Sequence, residues 1–252
     1  MNIFLSDLDN TLIYSHRRTI SGKKSVSEYL DGREQSYITE KTLLLLRTFC
    51  SKEGNILVPL TTRTYSQYSR LSPLTERLGV RYALTTNGAV LTENGISDPL
   101  WESESRELAE PFYDEMLKCS DIMKQFTEEC HVHFIEPYFV YTKPEQPEAI
   151  MKAIGIEGLS DGMDMLLTSG KLYCLPKALS KGNAAKRFLR RFPQRETRLI
   201  AAGDSVFDIS MLAVSDISFA PESMELPPDM KPCIRIGGLF SNGIGEGLIE
   251  LC

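Results

Sequence analysis

The sequence predicts an α/β fold: a parallel sheet layered by helices, with a smaller α+β domain inserted into it. Three observations predict this. Six short apolar runs, NIFLSD, NILVPLTT, YALTTN, RLIAAGD, DISFAP and CIRIGG, each end in a polar or glycine cluster. Helix-like segments lie between many of them, and strand then helix, repeated, is the pattern a parallel sheet requires. The middle third breaks that rhythm and reads as a module of its own.

The elements follow in chain order. NIFLSD opens the chain as a strand, and SVSEYLDGREQSYIT (25–39) reads as a hairpin turning at Asp31-Gly32. The segment 37–50, YITEKTLLLLRTFC, is a candidate helix that Thr39 can cap. In the middle third, 111–130 is a long amphipathic helix and HVHFIEPYFVYTK follows as strand. PEQPEAIMKAIG is then a short helix, and MDMLLTSGKLYCLP a hairpin turning at Ser169-Gly170. A last clear helix spans 180–192, with Ser180 to cap it and Pro193 to stop it. Core strands flank the middle module on both sides. The expected organisation is therefore a discontinuous core, 1–87 and 176–252, around an inserted domain at 88–175.

Composition narrows the functional classes. At 252 residues, 42% hydrophobic and 25% charged, the chain has an ordinary globular composition, without repeats or low-complexity tracts. No run approaches the roughly eighteen apolar residues of a membrane span, and Asp7 and Asp9 fall where a signal peptide needs its apolar region. A cytoplasmic location is expected. The cysteines at 50, 119, 130, 174, 233 and 252 form no zinc-type spacing, so reduced thiols are expected; Cys252 is not placed for prenylation. A net charge of -6 argues against broad nucleic-acid binding and requires that an anionic substrate be attracted locally.

The chemistry concentrates at strand ends. Asp7 and Asp9 close the first strand, at the edge where open α/β sheets bind ligands. On an extended backbone their side chains share one side, so the two carboxylates repel unless a cation sits near them. Mg²⁺, which prefers oxygen ligands and keeps waters and phosphate oxygens in its shell, suits such a place. Asp204 and Asp208, in AAGDSVFDISML, add two more carboxylates after another strand. Between these acids in sequence lie Thr61, Thr62 and Arg63 of LTTRT, and Lys181 at a helix start in ALSKGNAAKRF. Hydroxyls, backbone N–H groups and an ammonium at a helix N-terminus are phosphate-binding chemistry.

DLDNTL, a strand ending in threonine, a lysine and GDSxxD, in that order, together resemble the haloacid dehalogenase-like superfamily. The match covers the core, and the module after TTNGAV looks like the large α/β cap of the Cof-like or sucrose-phosphate-phosphatase-like branch, rich in sugar-phosphate phosphatases. The resemblance implies a Rossmann-like three-layer core and an Mg²⁺-dependent phosphatase acting on a small organic phosphate monoester. It makes Asp7 the nucleophile, forming an aspartyl phosphate, and Asp9 the acid that protonates the leaving alcohol and later deprotonates water. Thr61, Thr62 and Lys181 would hold the phosphoryl oxygens. Asp7, Asp9, Asp204 and Asp208 would surround the metal, Asp9 through its backbone carbonyl and Asp208 as a ligand or an acceptor behind the ligands. The resemblance also implies a cap that closes over the substrate; Arg63 and Asn87, each immediately following a core strand, are the expected near-site substrate contacts. The expected partner is a small-molecule phosphate ester, not nucleic acid or membrane, with the chain a monomer or homodimer.

Two positions depart from the family pattern: Phe207 stands where many Cof-like members carry asparagine, and Thr62 where many carry glycine. Other readings of single features are a helix-capping role for Asp208, a metal pair in HVH at 131–133, and a solvated helix face at Lys186, Arg187, Arg190 and Arg191. The basic residues Arg17, Arg18, Lys23 and Lys24 read either as part of a polar surface hairpin or as a flap meeting an anionic substrate. Alternative activities are a sugar phosphomutase using the same nucleophile and a phospho-acceptor or binding module without turnover.

Overall fold

A computed structural model describes residues 1–193 and 196–251, apart from the side chains of Pro73 and Glu129; Cys252 lies outside them. The chain forms two compact units, Met1–Asp98 with Lys181–Cys252, and Pro99–Ser180.

The first unit begins with β1 (Asn2–Ser6), where Ile3, Phe4 and Leu5 are all fully buried. Consecutive burial, rather than alternation, marks a parallel strand covered on both faces. A short strand β2 (Tyr14–Ser15) and the hairpin β3 (Lys24–Leu30) and β4 (Arg33–Thr39) make a separate antiparallel sheet. The hairpin turns at Asp31 and Gly32, with φ of 52° and 73°, the left-handed pair an Asp-Gly turn accepts. Helix α1 (Glu40–Ser51) begins later than the periodicity from 37 suggests, because 37–39 complete β4. Thr39 caps it, its hydroxyl accepting the Thr42 N–H at 3.0 Å, and Leu43, Leu46 and Phe49 form the buried stripe.

β5 (Asn55–Pro59), α2 (Tyr65–Tyr68), α3 (Ser72–Leu78) and β6 (Tyr82–Thr85) follow, then β7 (Val90–Glu93) and β8 (Ile96–Ser97). The run YALTTN differs from expectation. β6 meets Leu60, the residue after β5, through one parallel bridge to Leu84, and pairs along its length with antiparallel β7. That pairing keeps 88–98, expected in the insertion, with the first unit; at the far end the division falls between Ser180 and Lys181, past the expected 175.

The second unit holds α4 (Pro99–Ala109), α5 (Tyr113–Phe126), β9 (Val132–Ile135), β10 (Phe139–Thr142), α6 (Pro147–Glu157), β11 (Met163–Thr168) and β12 (Lys171–Pro176). Its antiparallel sheet has the order β11-β12-β10-β9, and Met116, Cys119, Met123, Val140, Ile150 and Leu172 share its core. Helix α4, in DPLWESESRELAE, is not among the expected elements. HVHFIEPYFVYTK forms two strands rather than one, because the chain reverses where Pro137 has no N–H for a ladder. His131 precedes β9, so the two histidines do not share a strand; His133 packs against Tyr141 with ring centroids 4.8 Å apart and the rings tilted by 31°.

The chain then returns to the first unit with α7 (Lys181–Leu189), β13 (Arg198–Ala202), α8 (Ile209–Val214), β14 (Ile217–Pro221), β15 (Ile234–Ile236) and α9 (Phe240–Glu250). The parallel sheet has the order β15-β14-β13-β1-β5. Helix α1 packs with α9 and α7 with α8, completing a layered α/β core in which Phe4, Leu46, Phe49, Ile200, Phe219 and Ile244 meet. From β1 the chain moves first to one side, β5, and later to the other, β13. Ala202, Ser6 and Pro59 lie in one row of the register, so these three strands release their following loops at one edge. That edge, at the point where strand order reverses, is where α/β sheets place ligands.

Candidate active site

Asp7 follows β1 directly, its N–H still donating to the Ala202 carbonyl at 2.9 Å. Beyond it the Leu8 carbonyl accepts from the N–H groups of Thr11, Leu12 and Ile13, and Asn10 takes a φ of 60°. This tight loop turns Asp7 inward, 7% exposed, and Asp9 outward, its side chain 49% exposed. Two aspartates that look equivalent in the sequence thus occupy different surroundings.

Lys181, the first residue of α7, is 1% exposed, and its ammonium donates at 2.6 Å both to Asp7 Oδ1 and to Asp208 Oδ1. Burial alone would lower its pKa; Asp208 and Asp7 outweigh that and raise it, so it stays charged. Asp204 stands beside them. Thr11, fully buried, donates its hydroxyl to Asp204 Oδ1 at 3.1 Å and lies 3.4 Å from Asp7 Oδ2, tying the first loop to the last. The motif reading of DLDNTL gives this threonine no role. Its signal is a hydroxyl four residues after the first acid, where the returning loop brings it back over the strand end.

Asp208 closes its own turn. Its Oδ2 accepts from the Asp204 N–H at 3.1 Å, the Ser205 N–H at 2.9 Å and the Ser205 hydroxyl at 2.8 Å, while Oδ1 holds Lys181. Gly203 makes room for it: a Cβ there would lie 2.2 Å from that of Asp208. Phe207 is buried in the same turn, Val206–Asp208.

One ligand atom from each of Asp7, Asp204 and Asp208 can be taken within 4.8 Å of the others. Three carboxylates against the Lys181 ammonium leave two formal negative charges in a buried pocket. The strain is visible in the acids themselves. Burial, the largest cause, pushes Asp7 well above the usual carboxylate range; Lys181 opposes this, and Asp208, Asp204 and Asp9 add to it. Burial and then Asp208 push Asp204 up to about 6. An all-oxygen donor set with two uncompensated charges fits a hard divalent cation. Asp208, already accepting four hydrogen bonds, is better placed to orient Asp204 and Lys181 than to reach a metal.

The threonine loop stands opposite. Thr61 is 1% exposed; its N–H donates to the Leu84 carbonyl at 2.9 Å, its carbonyl accepts the Asn87 N–H at 2.8 Å, and its hydroxyl accepts the Arg63 N–H at 3.2 Å. Thr62 is half-buried beside it. Asn87, expected near substrate, is 2% exposed and belongs to a left-handed turn, Thr86, Asn87 and Gly88, with φ of 54°, 56° and 90°. Its backbone fixes Thr61. At Gly88 a Cβ would meet that of Ala184 at 2.3 Å, so this turn packs directly on the helix that carries Lys181. Arg63, also expected to meet substrate, has both oxygens of Asp9 instead: Nε to Oδ2 at 2.7 Å and a terminal nitrogen to Oδ1 at 2.8 Å. The Asp9 side chain therefore turns toward Arg63 and not into the cluster formed by Asp7, Asp204 and Asp208.

The other basic candidates stay apart from this cluster. Arg18 stacks over Tyr14 and donates to Asn10 at 3.3 Å, Lys24 sits over the Tyr37 ring, and Arg17 and Lys23 are exposed.

No protein-family model matches the sequence, and no curated protein matches it. Solved structures do. The chain is similar to the sucrose-phosphatase of Synechocystis sp. PCC6803, solved with sucrose and phosphate, at 16% identity and a TM-score of 0.66, over 98% of this chain and 96% of that one. It is similar to the HAD subclass IIB sugar phosphatase BT4131 at 17% identity and a TM-score of 0.61, over 100% and 99% of the chains. A trehalose-6-phosphate phosphatase from Aspergillus fumigatus matches at 13% identity and a TM-score of 0.60, over 100% and 93%. The likeness to these structures is one of fold. No helix among the described residues is long and apolar enough to cross a membrane.

Proposed function

We propose that the protein is a metal-dependent phosphatase that hydrolyses a small organic phosphate monoester through an aspartyl phosphate on Asp7. The observation that carries this reading is the buried Lys181 ammonium held between Asp7 and Asp208, with Asp204 alongside. The similarity in fold to sugar phosphatases supports it, and a sugar phosphate or related metabolite is the proposed substrate.

Asp7 and Asp204 are the carboxylates that would hold Mg²⁺, which when bound offsets their charge and that of the phosphoryl oxygens. Lys181 steers and shields Asp7, leaving a carboxylate that needs no base to act as nucleophile. An Asp7 oxygen bonds to phosphorus as the ester P–O bond breaks, and the departing alkoxide takes its proton from Asp9. Asp9 then removes a proton from water, whose oxygen attacks phosphorus and releases inorganic phosphate with the Asp7 carboxylate restored. Thr61, Thr62 and Lys181 donate to the phosphoryl oxygens throughout. The second unit, Pro99–Ser180, is proposed as the cap that selects the organic group.

The test is phosphate release from a panel of sugar phosphates, nucleotides and phosphoacids, with Mg²⁺ and with chelator. Metal-dependent release that Asp7→Asn abolishes supports the reading; no release from any ester, or release untouched by Asp7→Asn, rejects it.

A further inference from the structure

We propose that Glu28, on the β3–β4 hairpin, is a positioning residue for the acid–base Asp9, acting through Arg63. The proposal rests on the phosphatase reading above.

The hairpin is built to deliver this carboxylate. Ser27 and Glu28 are both buried, which regular alternation along a strand forbids. The register supplies the reason: it shifts between Val26 and Glu28 and again between Glu28 and Tyr29, a bulge that turns Glu28 inward. There its side chain is 4% exposed. Oε1 accepts from Arg70 Nε at 2.8 Å, and Oε2 lies 3.0 Å from a terminal nitrogen of Arg63 and accepts from the Ser36 hydroxyl at 3.3 Å. Arg63 spends its other two nitrogens on Asp9. Asp9, Arg63, Glu28 and Arg70 thus form a line of alternating charge, two acids and two bases, that runs from the site into the hairpin.

Each link has a physical task. Asp9 is half-exposed on a loop, and Arg63 has a long side chain with many rotamers; neither fixes itself. A planar guanidinium holding both oxygens of a carboxylate sets its orientation as well as its distance. Arg63 in turn is ion-paired from behind with Glu28 at 3.0 Å, and Arg70 pairs with the other Glu28 oxygen at 2.8 Å. Desolvation lowers the Arg63 pKa, but Asp9 and Glu28 more than reverse this, so the clamp is a permanent cation. The hairpin then fixes the orientation of the Asp9 carboxyl group.

The test uses two probes, p-nitrophenyl phosphate, whose leaving group departs without a proton, and glycerol phosphate, whose alkoxide requires one. Wild type, Glu28→Gln and Glu28→Asp are compared for kcat and KM, with thermal unfolding to show that each is folded; Gln keeps the volume and the acceptor for Arg70. Expected for Glu28→Gln is a loss of about 10- to 100-fold in kcat on glycerol phosphate. KM for glycerol phosphate stays within about two-fold, and kcat/KM for p-nitrophenyl phosphate, which reports formation of the aspartyl phosphate and not its later hydrolysis by water, is nearly unaffected, because that leaving group needs no proton from Asp9. Glu28→Asp recovers part of the loss. Equal losses on both esters, or none, overturn the positioning role while leaving the phosphatase reading intact. A wild type inert to both esters, indistinguishable from Asp7→Asn, overturns both.

Discussion

The ammonium of Lys181 lies 2.6 Å from Asp7 Oδ1, with the lysine 1% exposed at the first turn of its helix. A charge so buried persists only because carboxylates surround it. Replacing Lys181 by methionine keeps the volume and leaves three acids facing one another. Breaking a buried pair from one side costs about 3–5 kcal/mol, read as a lower midpoint in denaturant. Phosphate release should fall by about 10²–10³-fold with the loss of a donor to the phosphoryl oxygens.

Without metal, the same acids make stability depend on pH. Asp204 titrates at about 6 when folded, above its ordinary 3.8, so the folded state keeps a proton the unfolded chain gives up between those values. Its contribution therefore falls as pH rises through that window, and Asp7 shifts in the same direction. In chelator at pH 7, Asp204→Asn should be more stable than wild type by about 2 kcal/mol, with the advantage fading toward pH 4. An advantage that grows on acidification would contradict this.

Adding a divalent cation should undo that penalty. Mg²⁺ at about 100 times its dissociation constant stabilises a protein that binds it only when folded by about 2.7 kcal/mol. Thermal unfolding should rise with Mg²⁺ in wild type and respond far less in Asp204→Asn.

Gly88 links the threonine loop to the lysine helix. Its φ of 90° and the 2.3 Å approach to Ala184 leave no room for a methyl group. Gly88→Ala should cost at least about 2 kcal/mol and move Thr61 relative to Lys181, lowering activity even where the variant folds. A variant as stable and active as wild type would show that the turn tolerates what its geometry forbids.

Much of this was legible in the sequence because it follows from local pattern. Apolar runs ending in Asp7, Thr61 and Asp204 announce strands and the edge they share, and Asp31-Gly32 and Ser169-Gly170 announce their hairpins. Contacts between distant segments were not legible. Arg63 follows a core strand and so looked like a substrate contact, but its partner Glu28 reaches it from a bulge that no periodicity reveals. Asn87 looked polar and near the site; three successive left-handed residues bury it. Pro137 splits an apparently continuous strand, and 88–98 stay with the core because β7 pairs with β6. The Asp9 side chain, whose pairing with Arg63 no local pattern announces, turns to it once the loop through Asn10 is formed.

The central claim is that Asp7 itself carries the phosphoryl group. The direct measurement is peptide mass spectrometry after acid-quenching the protein during turnover of a substrate ester with Mg²⁺. One added phosphoryl group is expected on the peptide containing Asp7, lost on further incubation and absent from Asp7→Asn. Steady turnover with no phosphoryl group on that peptide at any time, or one attached to another residue, would contradict it.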